Sequence, residues 1–378
     1  MKKIALLGST GSIGTQVLNV VRRHPDKYKI VSLAAGGNAA LLAEQIKEFK
    51  PLTATCARYD QEFAGINGVE TFFGEDSYTN AIIGDADVVV VALVGFKGMS
   101  AVLDAIEKGK NVALANKESL VVGGKIITER AREKGVSIVP IDSEHSAIWQ
   151  ALDFDFTKPF RRLILTASGG AFRDYDVAAL KSVTAKDALK HPNWNMGAKI
   201  TVDCATMVNK ALEVAEAKWL YNTTFDKIEV IIHRESIIHS MVEYEDSSVI
   251  AQMSYPTMEL PIQTALSYPD RFFSGVRSLD LASVGKLTFE ALDDKKYPCF
   301  GLVLNAEKKG GVYAAVANGA NESAVRLFLE NKIAYGDIYS LIAGALDKFD
   351  GDTAESIATL NSANDFAARF VAEKYKHL

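Results

Sequence analysis

A chain of 378 residues is long enough for two or three domains. Hydrophobic residues make up 48% and charged residues 24%, an ordinary globular mix that excludes a disordered chain, a collagen-like fibre and a disulfide-stapled mini-protein. The net charge of −5, with no run of basic residues longer than two, argues against non-specific nucleic-acid binding.

The three cysteines, Cys56, Cys204 and Cys299, are far apart and form no C-x-x-C pair, so zinc-finger and disulfide frameworks are excluded and a reducing compartment is expected. The apolar run Ile4–Leu7 ends at Gly8, too short for the core of a signal peptide. No stretch approaches the ~18 apolar residues of a membrane span. A cytoplasmic protein with no membrane partner is the expectation.

From residue 1 to about 142, short apolar runs alternate with helical patterns. Ile4–Leu7, Ile30–Ala34, Val88–Leu93, Asn111–Ala115 and Ile138–Ile141 read as buried strands; Gln16–Arg23, Ala39–Phe49, Met99–Lys108 and Lys125–Lys134 read as helices. Such alternation predicts an α/β domain with a doubly wound, Rossmann-like parallel sheet. Over 143–267 the pattern becomes α+β. Leu163–Ala167, Ile228–Ile232, Ser240–Tyr244 and Val249–Gln252 read as strands, the last two as a hairpin, with helices around Ala211–Ala217 and Ile262–Ala265. An irregular linker is expected over 268–293, followed over 294–378 by a helical bundle with helices at Tyr313–Asn318, Glu322–Glu330, Ile338–Lys348 and Ile357–Tyr375.

Gly8-Ser9-Thr10-Gly11-Ser12-Ile13-Gly14 follows the first strand and opens the first helix, the order a dinucleotide-binding turn requires. The second strand ends in Ala35-Gly36-Gly37-Asn38 without an acid. Its absence favours NADP over NAD, because a carboxylate there would repel a 2′-phosphate. Arg58 is a candidate for holding that phosphate. Ala115-Asn116-Lys117-Glu118 follows another apolar strand, where Lys117 can meet an anionic substrate or merely decorate a turn.

Asp142 and Glu144, two residues apart, share a face if the strand continues through them, and two such carboxylates suit Mg²⁺ or Mn²⁺. His145 reads as a structural neighbour. The segment 203–213 is expected to begin extended and turn helical, with Asn209, Lys210 and Glu213 on one face. That trio is either a surface Lys–Glu pair or the source of a third metal-directed carboxylate. Lys190–Gly197 carries Trp194 on a Pro/Gly-bounded loop, readable as a lid or as a plug. Ser168-Gly169-Gly170 can donate to a phosphate or form a plain turn.

Taken together these segments resemble the 1-deoxy-D-xylulose 5-phosphate reductoisomerase family. GSTGSIG at 8–14, ANKES at 115–119, PIDSEHSAI at 140–148, TASGGAF at 166–172, HPNWNMG at 191–197 and DCATMVNKALE at 203–213 occur in family order, and the match runs on through Ala320-Asn321-Glu322. The resemblance implies an NADPH-binding domain, a catalytic domain and a C-terminal helical domain, in a homodimer acting on a phosphorylated sugar.

By position, the resemblance implies nucleotide contacts at Thr10, Gly11, Ser12, Ile13, Gly36, Gly37, Asn38, Asn116, Glu118 and Gly197. It implies metal ligands at Asp142, Glu144 and Glu213, for Mg²⁺ or Mn²⁺ with Co²⁺ a further candidate. Substrate contacts are implied at Lys117, Ser143, Glu144, Ser168, His191, Cys204, Asn209, Lys210 and Glu213, of which Glu144, Lys117 and His191 are the catalytic candidates; Trp194 and Met196 belong to the lid. Two positions depart from the pattern: Gly37 stands where many members have Lys or Ser, and Cys204 where the family typically has Ser. The reaction implied is the rearrangement and NADPH reduction of 1-deoxy-D-xylulose 5-phosphate to 2-C-methyl-D-erythritol 4-phosphate, in non-mevalonate isoprenoid synthesis. A semialdehyde or homoserine dehydrogenase, or a silent NADP-binding module, would share the Gly-rich turn without needing three metal-directed carboxylates. A thiol hydrolase built on Cys204 lacks a base at any identifiable spacing.

Overall fold

The computed structural model describes residues 1–194, 196–352 and 356–377, so Asn195 of the lid segment lies outside the described residues. Two compact units emerge. The first comprises Met1–Ser119, Lys125–Ser146 and Thr257–Arg277; the second comprises Leu120–Gly124, Ala147–Pro256 and Ser278–Leu378.

In the first unit, β1 (Lys2–Leu7), β2 (Tyr28–Ala35), β3 (Thr53–Cys56), β4 (Glu70–Phe73), β5 (Val88–Val91), β6 (Asn111–Leu114) and β7 (Ile138–Pro140) form one sheet. The order is β4-β3-β2-β1-β5-β6-β7, and every pair is parallel. The order reverses at β1, which places a ligand crevice at its carboxyl end. The core is apolar: Ile4 and Leu6 pack with Leu18, Leu33 and Val90, all essentially buried. Strands β3 and β4 escape the sequence pattern because TATC and ETFF are short and partly polar.

The linker expected at 268–293 begins inside this unit. The helix Glu259–Ser267 packs on the helix Ser12–Arg23, where Glu259 takes Asn19 Nδ2 at 3.3 Å and Arg23 Nη2 at 2.5 Å. Lys2 Nζ donates to Leu266 O at 2.5 Å. Ile262, Ala265 and Leu266 complete the core of the first unit, which is why Thr257–Arg277 belongs with it rather than with Ala147–Pro256.

The second unit holds a mixed sheet of β8 (Arg162–Ala167), β9 (Ile228–Ile232), β10 (Ile238–Glu243), β11 (Val249–Met253) and β12 (Glu290–Ala291), in the order β11-β10-β8-β9-β12. The β10–β11 hairpin is the one expected. The C-terminal helices are Pro298–Lys309, Tyr313–Leu329, Tyr335–Lys348 and Ile357–Lys374. Here two readings are corrected. The helix Pro298–Lys309 was not anticipated, and Tyr313–Leu329 is one helix where two were expected. It runs through Gly319 because a Cβ there would lie 2.8 Å from Asn364 Oδ1 and 3.2 Å from Ala367 Cβ, so close helix packing outweighs the low helix propensity of glycine.

Candidate active site

The turn after β1 is built by glycine. Gly8 has φ +89°, and a Cβ on it would stand 2.4 Å from Ala92 O; a Cβ on Gly14 would stand 2.1 Å from Gly8 O. No other residue type fits either place. The helix Ser12–Arg23 starts with Gly11 as its N-cap, and no side chain caps its amides. Those amides and the positive end of the helix dipole form a cradle for an anion, lined by Thr10, Gly11, Ser12 and Ile13. At the end of β2, Gly36 and Gly37 are exposed. The Asn38 side chain accepts from Leu41 N at 3.2 Å and caps the helix Ala39–Phe49.

The helix expected at Lys125–Lys134 is preceded by another helical segment that starts at Lys117, with Asn116 as its N-cap, and a kink at Gly123 separates the two. Asn116 Oδ1 accepts from Ser119 N at 3.0 Å, while its Nδ2 donates to Leu93 O and Gly95 O at 3.0 Å and to Glu118 Oε2 at 2.9 Å. Both side chains are therefore committed to shaping the helix start. Lys117, only 7% exposed, puts Nζ 2.7 Å from Asp142 Oδ2.

Strand β7 stops at Pro140, and a helix, Ser143–Ala151, follows at once. Asp142 and Glu144 do not alternate on a strand as expected. Instead Asp142 O accepts the first helical bond, from Ser146 N at 2.8 Å, as an aspartate at a helix start commonly does. Burial opposes ionisation of Asp142, but the charge of Lys117 and contact with His145 outweigh it and hold the carboxyl well below the usual range. His145 is fully buried, with Nδ1 3.6 Å from Asp142 Oδ2, in keeping with a structural neighbour. Ser143 donates its hydroxyl to Glu144. Lys117, Asp142, Ser143 and Glu144 thus gather in the first unit.

In the second unit the segment 203–213 does not begin extended. The helix Ala198–Thr206 ends at Met207, whose φ of +61° breaks it, and Val208–Leu220 continues as a new helix. Asn209, Lys210 and Glu213 share one face of that helix and are 7%, 3% and 1% exposed, so the surface-pair reading fails. Asn209 Nδ2 and Lys210 Nζ each donate to one oxygen of Glu213. A buried carboxylate is tolerable only with such partners.

The Ser168–Gly170 turn leaves β8 with φ +81° at Gly169 and +68° at Gly170. A Cβ at Gly170 would lie 2.5 Å from Cys204 O, so the turn seats directly on the helix end that carries the half-buried Cys204. Arg173 Nη1 holds Ser168 O at 3.3 Å and Arg234 O at 2.8 Å, and Tyr297 OH holds Gly169 O at 2.9 Å. Neither Arg173 nor Tyr297 was anticipated, since each acts only through the fold.

Ser168 Oγ lies 3.0 Å from His191 Nε2 and accepts from Gly170 N at 3.2 Å. His191 Nδ1 accepts from Asn193 N at 3.2 Å and Trp194 N at 3.0 Å. Burial, assisted by the charge of Arg173, lowers the His191 pKa to about 4. The Trp194 ring is half-buried, edge-on to His239 at 5.9 Å between centroids; Met196 is half-buried, and Gly197 is the N-cap of the helix Ala198–Thr206. Asp203, one residue before Cys204, is pinned by Asn321 Nδ2 at 2.9 Å and Lys199 Nζ at 2.9 Å.

A glycine-built turn at the switch point of a doubly wound sheet, in one chain with a buried set of acids and amides, defines the class: a protein with a dinucleotide-binding type of fold and a further unit that carries buried polar groups. Family models described as 1-deoxy-D-xylulose 5-phosphate reductoisomerase match residues 4–124 and, as its C-terminal domains, 138–221 and 253–370. The protein of that name from Chloroherpeton thalassium is 46% identical over 99% of this chain and 98% of its own length. That from Halalkalibacterium halodurans is 46% identical over 98% and 99%. A crystal structure of DOX-P reductoisomerase in complex with NADPH, fosmidomycin and magnesium is 36% identical, with a TM-score of 0.94 over 100% of this chain and 98% of that one. The Zymomonas mobilis enzyme in complex with NADPH gives 38% and 0.92, over 100% of both chains. The chain belongs to the 1-deoxy-D-xylulose 5-phosphate reductoisomerase family.

Proposed function

We propose that this protein rearranges and reduces 1-deoxy-D-xylulose 5-phosphate to 2-C-methyl-D-erythritol 4-phosphate, using NADPH and a divalent cation. The observation that carries this reading is the full-length family match of a chain that keeps Asp142, Glu144 and Glu213 together with Asn209 and Lys210.

The residues fit both groups. For the nucleotide, the uncapped amides at Gly11 and Ser12 and the two sterically required glycines suit a pyrophosphate. For the cation, the donors are hard carboxylate oxygens. Asp142 is largely buried and its carboxyl is held ionised by Lys117 and His145, so it can present a charged oxygen to a metal. Asp142, Glu144 and Glu213 are the residues that would hold it, as Mg²⁺ or Mn²⁺. When bound, the cation polarises substrate oxygens and NADPH supplies the hydride.

The chain's own groups do the rest. Ser168, Asn209 and Lys210 anchor the substrate phosphate, assisted by His191 and by the Cys204 thiol. Lys117 and Ser143 orient the polar end of the sugar through an ammonium and a hydroxyl. Glu144, beside the Ser143 hydroxyl, takes up and returns the substrate hydroxyl proton during carbon–carbon cleavage and re-formation. Trp194 and Met196 close over the site and exclude water. Among the described residues no helix is long and apolar enough to cross a membrane. The reading extends to a homodimer in the cytoplasm, which sedimentation velocity and cell fractionation test. The activity itself is tested by identifying the product by mass spectrometry; NADPH oxidation that yields no 2-C-methyl-D-erythritol 4-phosphate would refute it.

A further inference from the structure

We infer that Arg58 is the side chain that selects NADPH over NADH, its guanidinium taking the 2′-phosphate of the adenosine ribose. The inference deepens the reading above and rests on it for the nucleotide's place at the end of β1.

Position 37, at the exit of β2, is glycine and offers no side chain to a phosphate. The fold supplies another. Strands β2 and β3 pair side by side as far as Ala35 and Cys56. Beyond them, Ala57 N donates at 3.1 Å to both Ala35 O and Gly36 O, holding the exit of β3 against Gly36-Gly37. Arg58 follows immediately. A Cβ built on Gly37 would lie 3.7 Å from Arg58 Nε and 3.9 Å from both Cδ and Cζ. The guanidinium therefore stands beside a position that has no side chain of its own.

The surroundings suit an anion. The end of β2 carries no carboxylate, the group that in this fold class grips a ribose 2′-hydroxyl. Asn38 Oδ1 caps the next helix, which leaves the uncharged Asn38 amide N–H groups as the other side-chain donors here. Arg58 is exposed, and among the described residues it forms no ion pair; Glu75, which feels its charge, is paired with Lys97. The helix Ala39–Phe49 starts here with its positive dipole end. A guanidinium can bind a phosphate through two parallel hydrogen bonds, which a solvated surface arginine has no need to do.

The test uses the intact chain and Arg58→Ala, a change at an exposed side chain that leaves the core untouched. Calorimetry with adenosine 2′,5′-bisphosphate and fluorescence titration with NADH are run on both proteins. The account expects the bisphosphate Kd to rise about tenfold or more, as for the loss of a charge-assisted contact, with NADH affinity changed less than about twofold. The NADPH-over-NADH preference in KM should fall by the same factor with kcat at saturation preserved. Adding Gly37→Lys to Arg58→Ala should restore part of the bisphosphate affinity. An unchanged bisphosphate Kd in Arg58→Ala, or an equal loss for NADH, overturns the inference. Wild-type protein that binds neither nucleotide would overturn the nucleotide reading itself, a different outcome.

Discussion

Ser168 Oγ and His191 Nε2 lie 3.0 Å apart, and the other ring nitrogen of His191 accepts two backbone N–H groups from Asn193 and Trp194. An Nδ1 that accepts twice carries no proton, so in the neutral ring the proton is on Nε2 and is donated to Ser168. Because Gly170 N also donates to Ser168 Oγ, the serine O–H is left to donate to a third group. The backbone at Asn193 and Trp194 thereby sets the direction of the Ser168 hydroxyl.

Protonating His191 would destroy that arrangement, and its pKa is lowered to about 4 against an ordinary value of 6.5. A depressed histidine favours folding above the unfolded pKa, and that contribution is lost as pH falls through 6.5 toward 4. Wild-type Tm should therefore fall more steeply over this window than that of His191→Gln, which has no titrating ring. Parallel Tm curves measured by calorimetry would contradict the buried neutral imidazole. Nitrogen-15 spectra should show the Nε2–H tautomer at pH 7.

Glu213 is 1% exposed and is held by Asn209 and Lys210. Glu213→Gln keeps the shape and removes the charge. Polarisation by a cation is worth several kcal/mol, so kcat should fall by about 100-fold or more, with weaker Mg²⁺ dependence and nearly unchanged NADPH affinity. Near-normal turnover at low Mg²⁺ would remove Glu213 from the metal site.

Cys204 sits on the helix end that the Ser168–Gly170 turn packs against, and it is half-buried rather than lost in the core. A thiol is a weaker donor than a serine hydroxyl. Hydrogen bonds to charged groups contribute ~1.5–3 kcal/mol, which bounds the gain from restoring oxygen. Cys204→Ser should lower the substrate KM several-fold with kcat little changed. An unchanged KM would assign Cys204 a packing role.

Glu307 is buried in the helix Pro298–Lys309, with Oε1 lacking a hydrogen-bond partner; burial pushes its pKa up to about 8, opposed only in part by Lys218. A raised carboxyl favours the protonated native state, so wild-type stability should decline as pH rises from about 4.5 toward 8. Glu307→Gln, neutral throughout, should gain in Tm over wild type as pH increases. A Tm difference that does not vary with pH would contradict this account.

Much of the first unit was legible because fully apolar, β-branched runs such as VVVV at Val88–Val91, alternating with helical patterns, read as buried parallel strands, and GSTGSIG leaves few alternatives for its turn. The acids, amides and lysines proposed for the site could be picked out by residue type, yet their local structure could not. Asp142 looked like a strand residue because Ile138–Ile141 is apolar, whereas Pro140 and the Asp–Ser pair end the strand and start a helix. Spacing gave the shared face of Lys210 and Glu213 but not their burial, which packing decides. Arg173 and Tyr297 were invisible for a different reason: they hold Ser168 and Gly169 through backbone carbonyls, and no local pattern encodes such contacts.

The central claim is an NADPH- and metal-dependent conversion of one phosphorylated sugar. It is tested most directly by following NADPH absorbance with 1-deoxy-D-xylulose 5-phosphate, with EDTA and then with Mg²⁺ or Mn²⁺ restored. The account predicts substrate-dependent oxidation that EDTA abolishes and either cation restores. Oxidation that persists undiminished in EDTA, or no oxidation with this substrate under any metal condition, would contradict it.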